Sequence, residues 1–158
     1  MFDTMISMSA EAYQLAQINI ARMKFPLDDP SMADFVAQLN EVNALADRSP
    51  GFVWRLADDS GGAATDIRAF EDDRILVNMS VWESLEALRA FSYQGRHAKV
   101  LRDRGRWFES RTSRLVMWWV PAGTIPSIED AKQKLELLES HGSTAEAFTF
   151  KDTFPPPP

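Results

Sequence analysis

Residues 75–107, ILVNMSVWESLEALRAFSYQGRHAKVLRDRGRW, constrain the fold of this chain more than any other stretch. They read as a strand, a tight Glu83-Ser84 turn, a helix, a break at Gly95 and a second helical piece carrying His97. Ile75–Trp82 is apolar at both parities of its alternation, which requires a strand covered on both faces. Ser84 is a good N-cap, and the helix it opens covers 85–93. A strand that runs straight into a helix lying back over the sheet is half of a split β-α-β unit.

The rest of the chain supplies the other half. Residues 13–25 alternate, with Ile18 and Ile20 on one face and Leu15, Gln17 and Asn19 on the other. Asp29-Pro30 starts a helix with a carboxylate cap and Pro in its first turn. Met32, Phe35, Val36, Leu39, Val42 and Ala46 form its apolar stripe, and Ser49-Pro50-Gly51 stops it. Strands follow at 52–56 and, after a long acidic Gly-rich connection pinned by Ile67 and Phe70, at 75–82. The helical piece at 96–110 leads to a fourth strand at 115–120. Ser127 and Asp130 are spaced as a capping box for a last helix closed by Gly142. Residues 147–150 suit a short edge strand.

The expectation is an α+β ferredoxin-like domain over 11–150, with a flexible leader at 1–10 and a Pro-rich tail at 151–158. Its four-stranded antiparallel sheet carries helices plus an added C-terminal helix. With apolar groups on both sheet faces, a homodimer pairing two sheets would hide the second face. Trp118 and Trp119 point to opposite sides of their strand, one toward that interface and one under the helices.

Composition closes off several function classes. There is no cysteine, so disulfides, thiolate nucleophiles and Cys-based zinc sites are excluded. The net charge of -6 repels phosphate backbones, so no nucleic-acid partner is expected. The basic cluster from Arg96 to Arg114 reads as a solvated face that pairs with acidic loops, or as a local anion site. No apolar run is long enough for a membrane span. The start, MFDTMISMSAEAY, lacks the charge and apolar pattern of a secretory signal, which makes a cytoplasmic protein the expectation. Phosphate-binding glycine loops, HExxH and GxSxG are absent.

The segments AYQLAQINIAR, PLDDPSMADFV, SPGFVWRL, LVNMSVWESLEAL, RWFE, MWWVPAGTIP and HGSTAEAFTF carry a resemblance to an uncharacterised bacterial family, a domain of unknown function. That family is similar to the antibiotic-biosynthesis and haem-degrading monooxygenases of the dimeric α/β barrel superfamily. The resemblance implies a dimeric barrel fold and a small-molecule enzyme of monooxygenase-like, oxidoreductase type, acting on an aromatic or polyketide-like substrate between sheet and helices. In haem-degrading members a histidine on the helix after a VWxS turn ligates iron. Here the turn is Val81-Trp82-Glu83-Ser84, and His97 follows about one helical turn early. Their catalytic tryptophan has no match, since Phe91 or Tyr93 stands near its place. Their first-strand Asn corresponds to Asn19.

The candidate site therefore contains His97, Asn19 and Arg104 as catalytic groups. Asn78, Trp82, Phe91, Tyr93, Trp107 and Trp118 are its candidate ligand-binding groups. An imidazole and a guanidinium above an aromatic-lined sheet suit an acidic or carbonyl-bearing aromatic ligand. Strand-centre asparagines are uncommon, so Asn19 and Asn78 either contact a ligand or satisfy neighbouring polar groups. His97 either ligates haem iron or hydrogen-bonds a backbone carbonyl at the Gly95 break. The site thus holds haem through His97 or no cofactor at all. A non-catalytic dimeric ligand-binding protein, or an isomerase or cyclase on the same fold, is the alternative function. His141, at a helix C-terminus, is placed to interact with the helix dipole.

Overall fold

A computed structural model describes residues 12–57, 69–93 and 102–158. The first strand, β1, spans Tyr13–Arg22, and a 3₁₀ turn at Pro30–Met32 runs into helix α1 at Ala33–Asp47. Asp29 caps that turn by accepting from the Ser31 N–H at 2.8 Å. Strand β2 covers Phe52–Arg55 and β3 Ile75–Trp82, followed by helix α2 at Leu85–Ser92. The Ser84 hydroxyl caps α2 by accepting from the Ala87 N–H. Strand β4 covers Arg114–Pro121 and helix α3 Ile128–His141. Helix α3 opens on the reciprocal Ser127–Asp130 capping box and ends at Gly142, φ +70°.

The four strands are ordered β2-β3-β1-β4 and all pair antiparallel, which is the ferredoxin-like α+β arrangement. In the central pair Asn19 lies opposite Asn78, and Gln17 opposite Ser80. The two sheet faces have different covers. Leu15, Trp82 and Met117 pack under Val42 and Ala46 of α1 and Leu88 and Phe91 of α2. Ile18, Val77, Met79, Val81, Val116 and Trp118 pack with Ala131 and Leu135 of α3. Helix α3 therefore covers apolar residues of the second sheet face.

One sequence expectation changes. The helical piece does not continue to Ser110. A single 3₁₀ turn, Arg104–Arg106, ends it, with both the Trp107 and Phe108 N–H groups on the Arg104 carbonyl. Phe108 is then extended and bridges Met23, while Trp107 drops into a third cluster with Met23, Met32 and Phe35. The C-terminal segment is also tied to the domain. Met117 and Phe148 exchange backbone hydrogen bonds at the outer edge of β4. Past residue 150, the Phe154 carbonyl accepts from Trp119 Nε1 at 2.9 Å. Ile67 lies outside the described residues, whereas Phe70 packs on the α3 side beneath the Lys132 ammonium.

An ionic clasp holds the end of β1. Arg22 donates to Asp72 at 2.7 Å and also pairs with Glu109. The hydrogen bond from Arg22, then that from the Arg74 N–H, holds the Asp72 carboxyl below its ordinary range. A depressed carboxylate stabilises the fold fully above its unfolded pKa of about 3.9, and the contribution is lost as pH falls through the lower folded value. Acid unfolding of Asp72→Asn, followed by circular dichroism, should therefore be less steep below about pH 4 than that of the wild type. Equal pH slopes would show that the clasp is neutral to stability, as exposed pairs often are.

Candidate functional site

The alternation of β1 and β3 puts Gln17 and Asn19, with Asn78, Ser80 and Trp82, on the face beneath α1 and α2. There they floor a cavity of about 530 Å³. Its roof is the α1 stripe Phe35, Leu39, Val42, Asn43 and Ala46. Leu88 and Phe91 of α2 close one side, and Phe108, Leu115 and Phe150 complete the wall. Phe35 and Phe108 meet edge to face at 5.1 Å, while Trp82 and Phe91 stack at 5.0 Å, so aromatic pairs border the space.

The floor is one connected polar strip. Gln17 Nε2 donates to Asn78 Oδ1 at 2.9 Å and to Ser80 Oγ at 2.8 Å. Asn19 Nδ2 donates to Gln17 Oε1 at 3.1 Å and to Asn78 Oδ1 at 3.2 Å. Trp82 Nε1 donates to Ser80 Oγ at 2.9 Å. Depth grades along the strip: Gln17, Ser80 and Trp82 are buried, Asn78 is half-buried and Asn19 is exposed in the opening. Two donors converge on Asn78 Oδ1, which fixes the orientation of that amide. Its Nδ2 group has no protein partner among the described residues and remains available to a ligand.

Of the residues expected from sequence, Asn19, Asn78, Trp82, Phe91, Tyr93 and Arg104 all line this one cavity. Tyr93 and Arg104 stand exposed at its rim. Trp107 and Trp118 do not line it. Trp107 is sealed behind Phe35, and Trp118 points from the opposite face of β4 toward α3. His97 lies outside the described residues. Gln17, Asn43 and Arg55 are lining residues that the sequence reading missed. Gln17 was legible as the same-parity neighbour of Asn19. Arg55 sits beside Ser80 in the β2–β3 pairing and makes a two-pronged ion pair with Asp47.

Haem iron takes an axial imidazole, thiolate, thioether or phenolate ligand. The described lining offers amides, hydroxyls, guanidinium groups and the rim phenol of Tyr93, but no imidazole. No cluster of His, Asp or Glu suited to a metal occurs among the described residues, and no described helix is long and apolar enough to cross a membrane. Among the described lining residues only the Tyr93 phenol is of a type that ligates haem iron, and His97, the ligand expected from the sequence, lies outside them.

The family profile of Domain of unknown function (DUF3291) matches residues 14–158. The chain belongs to this family. Among solved structures it is similar to NE2512, a protein of unknown function from Nitrosomonas europaea. The identity is 14%, the TM-score 0.50, and the match covers 74% of this chain and 98% of that one. It is also similar to SnoaB, a cofactor-independent oxygenase from Streptomyces nogalater, at 18% identity and a TM-score of 0.49, covering 72% of this chain and 98% of that one. A third similar structure is the monooxygenase ActVA-Orf6 of Streptomyces coelicolor, solved with nanaomycin D. There the identity is 17% and the TM-score 0.41, covering 75% of this chain and 96% of that one. No curated protein sequence matches the chain. At 14% identity the likeness to NE2512 concerns the fold alone.

Proposed function

We propose that this DUF3291 chain is a small-molecule enzyme of the monooxygenase-like type, without a resident cofactor. Its substrate is an aromatic or polyketide-like molecule bearing carbonyl or hydroxyl oxygens, held in the cavity between α1 and the sheet. One observation carries this reading: an amide strip with a free Asn78 Nδ2 donor floors a cavity with aromatic borders. The volume and the apolar-with-few-polar lining suit a small-molecule site. An amide donor strengthens its bond to a substrate oxygen as negative charge develops there, which favours chemistry passing through a phenolate or enolate. Asn19, at the mouth, holds the Asn78 amide in place. Arg104 adds a cation at the rim without entering the apolar interior.

The test is a titration with 1-naphthol followed by tryptophan emission, since Trp82 lines the cavity. Asn78→Ala is expected to weaken binding about tenfold, the loss of one good hydrogen bond in a water-poor site. No binding to the wild type would overturn the reading. Oxygen uptake with an electron-rich naphthol then separates an oxygen-using enzyme from a ligand-binding protein. Haemin is expected to leave the Soret band unshifted. A shift that saturates at one haem per chain and vanishes in His97→Ala would replace this reading with a haem enzyme.

A further inference from the structure

The α1 roof contains one residue out of keeping with its neighbours. Phe35, Leu39, Val42 and Ala46 line the cavity with apolar surface, and Asn43 stands among them. Asn43 is only 8% exposed, yet its side-chain amide has no hydrogen-bond partner among the described residues. It is not sealed in the core, because it lines the same cavity as Asn78. Buried amides are normally paired, and one left open toward a cavity marks a place where a partner from outside the chain fits. Nothing in the helix requires it either. Asparagine is a modest helix former, and a leucine would suit the stripe better.

We infer that Asn43 is a specificity-determining residue of the cavity, reading a second polar group on the ligand opposite the one read by Asn78. This rests on the cavity being the ligand site and narrows the ligand class. Asn78 and its strip belong to the floor, and Asn43 to the roof. A ligand that satisfies both carries hydrogen-bonding oxygens on two opposed edges, with apolar ring atoms between them. Dihydroxylated and hydroxy-carbonyl fused aromatics have that form, and a ring oxygenated on one edge leaves Asn43 unpaired.

Two probes distinguish these cases: 1-naphthol, with one oxygen, and 1,5-dihydroxynaphthalene, with oxygens on opposed edges. The wild type is expected to bind the diol about tenfold more tightly than the mono-ol, one hydrogen bond's worth. Asn43→Leu and Asn43→Ala should both lose that preference, so that the two probes bind each variant with an affinity ratio of about one. The alanine variant guards against leucine filling the space. Thermal unfolding supplies the second readout. Removing an unpaired amide for leucine is expected to leave Tm unchanged or raise it, whereas a structural role for Asn43 would lower it. If the wild type binds 1-naphthol but does not prefer the diol, or the preference survives both substitutions, the Asn43 assignment falls while the cavity reading stands. If neither probe binds the wild type, both fall together.

Discussion

Gly51→Ala is expected to destabilise the fold by about 2–4 kcal/mol, far more than a single added methyl usually does. Two independent causes combine. Gly51 closes the turn between α1 and β2 at φ +82°, where a side chain meets its own backbone. The added Cβ would also stand 2.5 Å from the Ala87 Cβ on the first turns of α2. The turn cannot back away freely, because the Gly51 carbonyl accepts from the Glu83 N–H at 2.8 Å. That bond joins the end of α1 to the start of α2, the two helices over the cavity. Gly123→Ala is the control. Gly123 has a similar φ of +87° but nothing within 4 Å of the added atom, so only the backbone cost of about 1 kcal/mol applies. Urea unfolding of both variants measures the difference. A cycle with Ala87→Gly should recover about 1–3 kcal/mol of coupling. Equal losses for Gly51→Ala and Gly123→Ala would sink the steric argument.

Much of this architecture is legible in the sequence because local and global preferences agree. Ser84, Asp29-Pro30 and the Ser127–Asp130 box each begin a helix where the apolar stripe begins. The parity of Leu15, Gln17 and Asn19 against Ile18 and Ile20 assigns the two faces of β1 correctly. The failures have a common physical origin in long-range packing. The helical piece expected over 96–110 does not persist past 106. The large Trp107 ring is better buried against Phe35, at 5.4 Å, and the chain leaves the helix to place it there. Trp118 and Trp119 are assigned to opposite faces by alternation, but alternation does not say which helix covers which face. That depended on α3 folding back over the side expected to be bare. Asn43 was overlooked because one polar residue in a helix reads as a solvated position. Its burial appears only once the helix is laid over the sheet.

Trp82→Ala should be the other severe change, costing about 3–5 kcal/mol. Trp82 is 1% exposed, packs edge to face on Phe52 at 5.5 Å and stacks on Phe91. Truncation leaves a void at the deep end of the cavity that β3 and α2 can close only partly. It also takes one of the two donors away from the Ser80 hydroxyl. Trp82→Phe separates the two losses. A phenyl ring keeps most of the packing and gives up the indole N–H, so its cost should stay near 1–2 kcal/mol. Gln17 Nε2 would still donate to Ser80, and the strip from Asn19 to Ser80 would stay in register. The Phe variant should therefore bind 1-naphthol within a few-fold of the wild type, with binding followed by calorimetry because the reporting indole is gone. If Trp82→Phe destabilised the protein as much as Trp82→Ala, the hydrogen bond to Ser80 would outweigh the volume of the ring. The polar strip would then be holding the floor together, and its free Asn78 donor would be a by-product of that work.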